Sequence, residues 1–195
     1  MDAFEFVNSL DSNKHVLQLI TDDTKAKNTQ FQFLNNGLLQ DEYCVYLTHE
    51  NPEKIKKKMQ EFGIDVAKYT EKGLLHVHKV PNIMDHPTGS LAGFEEFFNS
   101  IMPNPCPKFR LVGRPIDDVS SEKSWQAYYE IEQFVHSNFD KYNGSVMCYC
   151  EYQKLGDRED MSRMTRLLDC HTSAIFSTLT EPNYGYDLHH RNKRQ

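Results

Sequence analysis

The stretch Gln32–Val77, QFLNNGLLQDEYCVYLTHENPEKIKKKMQEFGIDVAKYTEKGLLHV, decides the fold class. It places two short apolar runs, Tyr43–Leu47 and Leu74–His78, on either side of a longer charged segment that begins at Asn51 and Pro52. Asparagine caps helices and proline is tolerated in the first helical turn, so the charged segment is predicted to be a helix. A strand, a helix and a second strand in this order indicate a unit of parallel sheet.

The same alternation of apolar runs and helical stretches continues outward from this stretch in both directions. Outside it, strands are predicted at His15–Ile20, Phe109–Gly113, Ser145–Cys150 and Ser173–Phe176. The expected fold class is therefore α/β, with three layers in which a mostly parallel sheet is flanked by helices. We expect residues 1–180 to form a single domain and residues 181–195 a polar, frayed C-terminal tail.

The composition argues against nucleic acid and membrane as partners. With a net charge of −6, the chain has no excess of Lys and Arg to displace counterions from nucleic-acid phosphates. No apolar run approaches the roughly 20 residues that a membrane-spanning helix needs. The acidic N-terminus lacks the order of a signal peptide, and the five cysteines form no CxxC pair, so we expect a cytoplasmic protein with free thiols.

The stretch Gln32–Val77 resembles the first helix, second strand and following helix of KaiC-type ATPases of the RecA superfamily. Those enzymes enter this helix through a glycine-rich phosphate loop ending in Gly-Lys-Thr. The equivalent segment here has no glycine and contains Asp22, Asp23, Lys25, Ala26 and Lys27. Ala26 takes the position of the phosphate-binding lysine. Two acids would repel a triphosphate and a backbone without glycine cannot curl around an anion, so we predict a degenerate phosphate loop with Lys25 and Lys27 as solvated charges.

The strand predicted at Phe109–Gly113 gives the second test of nucleotide binding. It is followed by Arg114, where KaiC-type enzymes carry the aspartate that orders Mg²⁺. With both halves of the ATP site missing, we expect no catalytic residues, no cofactor and no ATPase activity. Glu50 stands where these enzymes have a catalytic carboxylate, and without a phosphate to act on it is predicted to be a residue at a strand end.

Further motifs make the chain similar to the MEDS group, a KaiC-like family without the phosphate loop that is named from the sensory domain of the regulator DcmR. The motifs are KHVLQLI (14–20), YYEIEQFVHSNF (128–139), SVMCYCEY (145–152) and LLDCHTSAIF (167–176). Their order and spacing carry the resemblance over most of residues 14–177. The chain departs from the family at Cys150, where an aromatic residue is usual, at Thr172, where a proline often stands, and at Arg114, near a common acid.

The resemblance implies a non-catalytic sensory and signalling module on a degenerate RecA/KaiC-like fold. Its partners would be a small organic molecule and either a signalling protein or further copies of the chain. The polar residues that it places around a ligand pocket are His15, Glu130, Cys148 and His171, with Glu50 and Glu151 at strand ends. A structural role for each stays open, and Glu130, if buried, would need a partner such as His15 or His171. The aromatic residues expected to line the old nucleotide cleft are Phe31, Tyr46, Trp125 and Tyr149.

Two residue pairs and one residue combination have the side-chain types of metal or nucleophile sites. In the pairs His76/His78 and Cys148/Cys150 both side chains point to one face of a strand, as metal ligands do, but core packing is the expectation and no metal site is predicted. Cys148, His171 and Glu130 supply the residue types of a cysteine nucleophile, without a nucleophile-turn motif. The competing functions are a scaffold for a homo-oligomer or partner protein and a residual KaiC-like nucleotide-binding ATPase.

Overall fold

The computed structural model describes residues 1–11, 13–155, 161–178 and 183–188. Within them, helices flank a seven-stranded, mostly parallel sheet, which confirms the three-layer α/β class. The strands are β1 (His15–Ile20), β2 (Tyr43–Thr48), β3 (Leu75–Lys79), β4 (Phe109–Gly113), β5 (Gly144–Glu151), β6 (Ser173–Ser177) and β7 (Tyr184–Asp187). The helices are α1 (Ala3–Ser9), α2 (Asp23–Leu38), α3 (Pro52–Phe62), α4 (Val66–Glu71), α5 (Ser90–Ile101), α6 (Glu122–Asn138) and α7 (Ser162–Asp169).

The strand order in the sheet is β3-β2-β4-β5-β1-β6-β7, and every neighbouring pair is parallel except β6 and β7. Strand β1 lies between β5 and β6, with His15 opposite Val146 and Val16 opposite Ser173. All six residues of β1 are buried, as expected for a parallel strand that is covered on both faces. No helix in the described ranges combines the length and apolarity needed to cross a bilayer.

Strand β7 lies inside the segment that was expected to be a frayed tail. Tyr184–Asp187 pairs antiparallel with β6, and Asp2 forms an isolated bridge to Tyr184 on its other side. Residues 181–182 and 189–195 of the expected tail lie outside the described residues. The tail prediction was therefore wrong over Tyr184–Asp187, because a four-residue edge strand leaves almost no apolar signal.

The helices that follow the strands pack on opposite faces of the sheet. β1 and β2 lead into α2 and α3, whose residues Phe33 and Ile55 join one core cluster. β4 and β5 are followed by α6 and α7, whose residues Tyr128 and Leu167 join a cluster on the other face. Since β1 neighbours β5 and β2 neighbours β4, the loops diverge above these strands and leave a crevice at their carboxyl ends.

Candidate functional site

A cavity of about 290 Å³ opens in this crevice. Its walls come from the carboxyl ends of β1, β2, β4 and β5 and from the first two turns of α2. The volume is at the lower end of the range for small-molecule pockets. We call this cavity the cleft; its charged lining consists of the acids Asp23, Glu50, Asp117 and Glu151 and the bases Lys27 and Arg114.

The turn between β1 and α2 has none of the features of a phosphate loop. Asp22 caps α2, and its Oδ1 accepts a hydrogen bond from the backbone N–H of Lys25 at 3.0 Å. Ala26 is fully buried, and its carbonyl accepts a hydrogen bond from Gln18 Nε2 at 3.2 Å. Backbone N–H groups at a helix start are what bind anions, and here one of them is already used by the chain's own carboxylate.

Lys27 is not the solvated charge that the sequence predicted. Its side chain is only 12% exposed, and its Nζ lies 2.7 Å from a carboxylate oxygen of Asp23 and 2.7 Å from one of Glu50. Burial alone would lower the pKa of Lys27, but the hydrogen bonds to Asp23 and Glu50 outweigh it and raise the pKa above its ordinary value. The same hydrogen bond from Lys27 lowers the pKa of Glu50. One wall of the cleft is thus a closed ion-pair network.

Arg114 forms the opposite wall in the same way. It follows β4 directly, and its guanidinium donates hydrogen bonds to Glu151 at 2.9 Å and to Asp117 at 2.5 Å. It also lies over the ring of Tyr149, 5.3 Å from the centroid. A paired cation therefore stands at the carboxyl end of β4.

A chain of buried polar side chains leads away from the floor of the cleft. Tyr46 Oη donates to Gln30 Oε1 at 2.7 Å, and Gln30 Nε2 donates to Gln18 Oε1 at 2.8 Å. Gln18 Nε2 in turn donates to Ser177 Oγ at 2.9 Å, across the boundary from β1 to β6. Buried amides are costly unless they are hydrogen-bonded, and this chain satisfies both glutamines.

The structure corrects half of the predicted aromatic lining. Tyr46 and Tyr149 line the cleft. Phe31 belongs instead to the core cluster between the sheet and α2, and Trp125 to the cluster on the other face of the sheet. Neither side chain is part of the cleft lining.

Three of the predicted site residues lie near the other end of β1, away from the cleft. His15 begins β1, Cys148 lies within β5, and His171 precedes β6 by two residues. Their side chains converge beneath α6, where Glu132 joins them. The ligand-type atoms of His15, Glu132, Cys148 and His171, which we call the buried cluster, all lie within 4.8 Å of one another. Glu50, by contrast, lies in the cleft, so the predicted set is divided between two places.

Glu130 is exposed and belongs to neither place. The acid that meets the histidines is Glu132, which is 1% exposed and which the sequence analysis did not single out. The signal was present in α6, because Trp125, Tyr128 and Glu132 follow the i, i+3, i+7 spacing of one helix face and are all buried. Counting from the buried aromatics would have selected Glu132 instead of Glu130.

Hydrogen bonds to the backbone orient both histidines of the buried cluster. His15 Nδ1 lies 2.8 Å from the carbonyl oxygen of Cys170, and His171 Nδ1 lies 2.6 Å from that of Leu167. Each Nε2 atom then faces Glu132 Oε2 at 3.3 Å, and His15 Nε2 is also 3.4 Å from the sulfur of Cys148.

Burial is the main cause of the pKa shifts of His15 and Cys148. It lowers the pKa of His15 to about 4 and raises that of the Cys148 thiol well above its ordinary value. Burial would also raise the pKa of Glu132, but the contacts with His15 and His171 outweigh this and lower it.

The histidine pair on β3 shows no such convergence. The rings of His76 and His78 are parallel with centroids 6.0 Å apart, and His76 Nε2 bonds to the carbonyl oxygen of Gly73 at 2.9 Å. Within the described ranges, neither belongs to a group of three or more side chains of metal-ligand type, and neither does Cys150.

One protein family matches the part of the chain that contains the cleft and the buried cluster. The model of the MEDS family, described as MEthanogen/methylotroph, DcmR Sensory domain, matches residues 14–172. The chain belongs to the MEDS family. The matched range runs from β1 through α7 and contains the cleft and all four residues of the buried cluster. The family is described as a sensory domain, which indicates a sensory role for this chain without naming what is sensed. No curated protein matches the sequence.

Proposed function

We propose that this MEDS domain is a non-catalytic signalling module whose cleft binds a small polar organic molecule. The observation that carries the proposal is the pairing of both cations in the cleft. Lys27 is held by Asp23 and Glu50, and Arg114 is held by Asp117 and Glu151. An ATPase of this architecture needs a free lysine and an open backbone loop at the start of the helix that here contains Lys27. It also needs a metal-ordering aspartate at the strand end that here carries Arg114.

The charge of the cleft limits the class of ligand. Four carboxylates face two cations, so the cleft repels polyanions such as nucleotides. Tyr46 and Tyr149 add aromatic surface for an apolar portion of the ligand, and Thr48 adds a hydroxyl group. These features suit a neutral or zwitterionic molecule with a small apolar body and one or two polar groups.

Ligand binding would act on the packing of α2 against α3 through Glu50. This carboxylate contacts Lys27 on α2 at 2.7 Å and lies 3.6 Å from Lys58 on α3. A ligand that takes over one of these contacts changes how firmly the two helices are joined. The altered surface would then be recognised by a signalling protein or by a second copy of the chain.

A thermal-shift screen of small alcohols, amines, amino acids and halomethanes tests the proposal. A ligand present at 100 times its Kd stabilises the folded state by about 2.7 kcal/mol, which for a chain of this size raises the Tm by about 5–11 °C. We expect the shift to be lost in Lys27→Met and kept in Lys56→Met, whose lysine pairs with Glu53 on the exposed side of α3.

Three results would count against this assignment. They are a screen without a stabilising compound, a compound that stabilises Lys27→Met as much as the parent protein, and calorimetric binding of Mg-ATP at micromolar concentration. The last would restore the nucleotide-binding alternative.

A further inference from the structure

The buried cluster contains polar atoms that no group in the described part of the protein satisfies. Neither carboxylate oxygen of Glu132 has a hydrogen-bond partner, and neither does Nε2 of His171. Glu132 and His171 are each 1% exposed, so bulk water does not reach them. An unpaired acceptor in such a place costs about 1–3 kcal/mol, and more if it is charged.

The backbone contacts explain why these atoms lack partners. A carbonyl oxygen only accepts hydrogen bonds, so the Nδ1 atoms of His15 and His171 must both carry the hydrogen. In a neutral imidazole with its hydrogen on Nδ1, Nε2 is an acceptor. Both Nε2 atoms point at Glu132 Oε2, which is an acceptor as well. Lone pairs thus converge on a space that, besides the two rings, is approached by two groups with a hydrogen to donate, the Cys148 thiol and the Tyr128 hydroxyl.

We propose that His15, Glu132, Cys148 and His171 form a binding site for a divalent transition metal ion of the Zn²⁺ class. Histidines that bind metals in proteins donate their second N–H to a backbone carbonyl or a carboxylate, as both rings do here. Two imidazoles, a thiolate and a carboxylate are the donor types that zinc takes in tetrahedral sites.

The spacing of the donor atoms fits tetrahedral coordination. Zinc bonds of about 2.0–2.3 Å place neighbouring ligand atoms about 3.3–3.7 Å apart. In the cluster, Glu132 Oε2 lies 3.3 Å from Nε2 of His15 and 3.3 Å from Nε2 of His171, and His15 Nε2 lies 3.4 Å from Cys148 Sγ. The widest separation in the set is within 4.8 Å, which a small side-chain rotation closes.

The charge balance favours a dication. Binding displaces the thiol proton of Cys148 to solvent, so that a thiolate and the Glu132 carboxylate together neutralise the two positive charges. A neutral assembly is what a fully buried site requires, because an uncompensated charge in the interior is costly. Four protein ligands leave no open position, so the ion would be structural and would join β1, β5, α6 and the segment before β6.

Cobalt binding tests the site in the full chain. His189→Ala and His190→Ala are introduced first, so that the neighbouring tail histidines do not bind metal, and the protein is refolded from denaturant with chelator to remove metal. We expect one equivalent of Co²⁺ to bind with tetrahedral d–d bands and a thiolate-to-cobalt charge-transfer band. One equivalent of Zn²⁺ should remove these bands and raise the Tm.

Matched variants separate the ligands from their neighbours. Glu132→Gln removes a direct ligand, so its metal affinity should be at least about 100-fold weaker than that of the parent protein. Changes in residues that only contact the ligands already weaken metal affinity about 10–100-fold. Glu130→Gln, two residues away on α6 and exposed, should bind like the parent. Cys148→Ser should lose the charge-transfer band, whereas Cys150→Ser, also buried on β5, should keep it. Far-ultraviolet circular dichroism shows whether each variant is folded.

The parent protein alone is sufficient to refute the site. Cobalt uptake below one equivalent, or bound cobalt without a thiolate band, would overturn the proposal whether or not any variant folds. Equal affinity in Glu132→Gln and Glu130→Gln would also overturn it.

Discussion

Replacing the buried carboxylate of Glu42 should destabilise the fold more than any surface charge change. Glu42 is 3% exposed, and its carboxylate accepts a hydrogen bond from Arg110 Nε at 2.8 Å and lies 2.6 Å from Lys108 Nζ. Arg110 is 4% exposed, so in Glu42→Gln its guanidinium would lose its counter-ion in a nearly dry environment.

The magnitude follows from the surroundings of Arg110. Breaking a buried ion pair from one side costs about 3–5 kcal/mol. Here the lower end applies, because Arg110 keeps a hydrogen bond to the carbonyl oxygen of Phe33 at 3.2 Å and a position over the Phe33 ring. Lys108 is partly exposed and can be solvated again. A loss of about 3 kcal/mol corresponds to a fall in Tm of about 6–12 °C for a chain of this length.

Urea denaturation followed by circular dichroism measures the effect. The control is Glu53→Gln, which removes an exposed carboxylate paired with Lys56 and should change the unfolding free energy by less than about 0.5 kcal/mol. Arg110→Met and the double variant complete a thermodynamic cycle, and the two changes should be non-additive by more than about 1 kcal/mol. If Glu42→Gln matched Glu53→Gln in stability, the ion pair would not be the buried, coupled unit described here.

Two smaller effects also follow from the structure. In Gly113→Ala the new Cβ would stand 2.5 Å from Leu47 Cβ on the neighbouring strand, so we expect a loss of about 1–3 kcal/mol in urea denaturation, and an unchanged midpoint would contradict the close packing. The pKa of Glu50 is lowered by Lys27, so its stabilising charge is present above the unfolded pKa of about 4.3 and is lost as the pH falls through the folded pKa. The stability difference between the parent and Lys27→Met should therefore shrink between about pH 5 and pH 3; a constant difference would contradict the pairing.

The sequence predicted most of the sheet because its central strands are continuous apolar runs. The predicted bounds of β1 and β4 agree with the structure, since strands covered on both faces leave an unbroken signal. β7 left none, because Gly185 is its one buried residue. Hydrophobicity patterns detect burial, so polar edges and short strands are missed by them.

The candidate site was only partly accessible from sequence for a different reason. His15 and Cys148 are 133 positions apart in the chain and meet because β1 and β5 are adjacent in the sheet. Local spacing contains no information on that adjacency. The family motifs supplied the residue types, but the division between cleft and buried cluster, and the choice of Glu132, depend on which strands neighbour each other and on the rotation of α6.

Strand β1 has a consequence for communication within the molecule. It is six residues long, about 17 Å from His15 to Ile20, with a proposed metal ligand at one end and a cleft residue at the other. Hydrogen-bonded ladders on both edges and the Gln18 amide fix its position relative to β5, β6 and α2. By thermodynamic linkage, if bound metal changes the affinity for the ligand by some factor, bound ligand changes the affinity for the metal by the same factor.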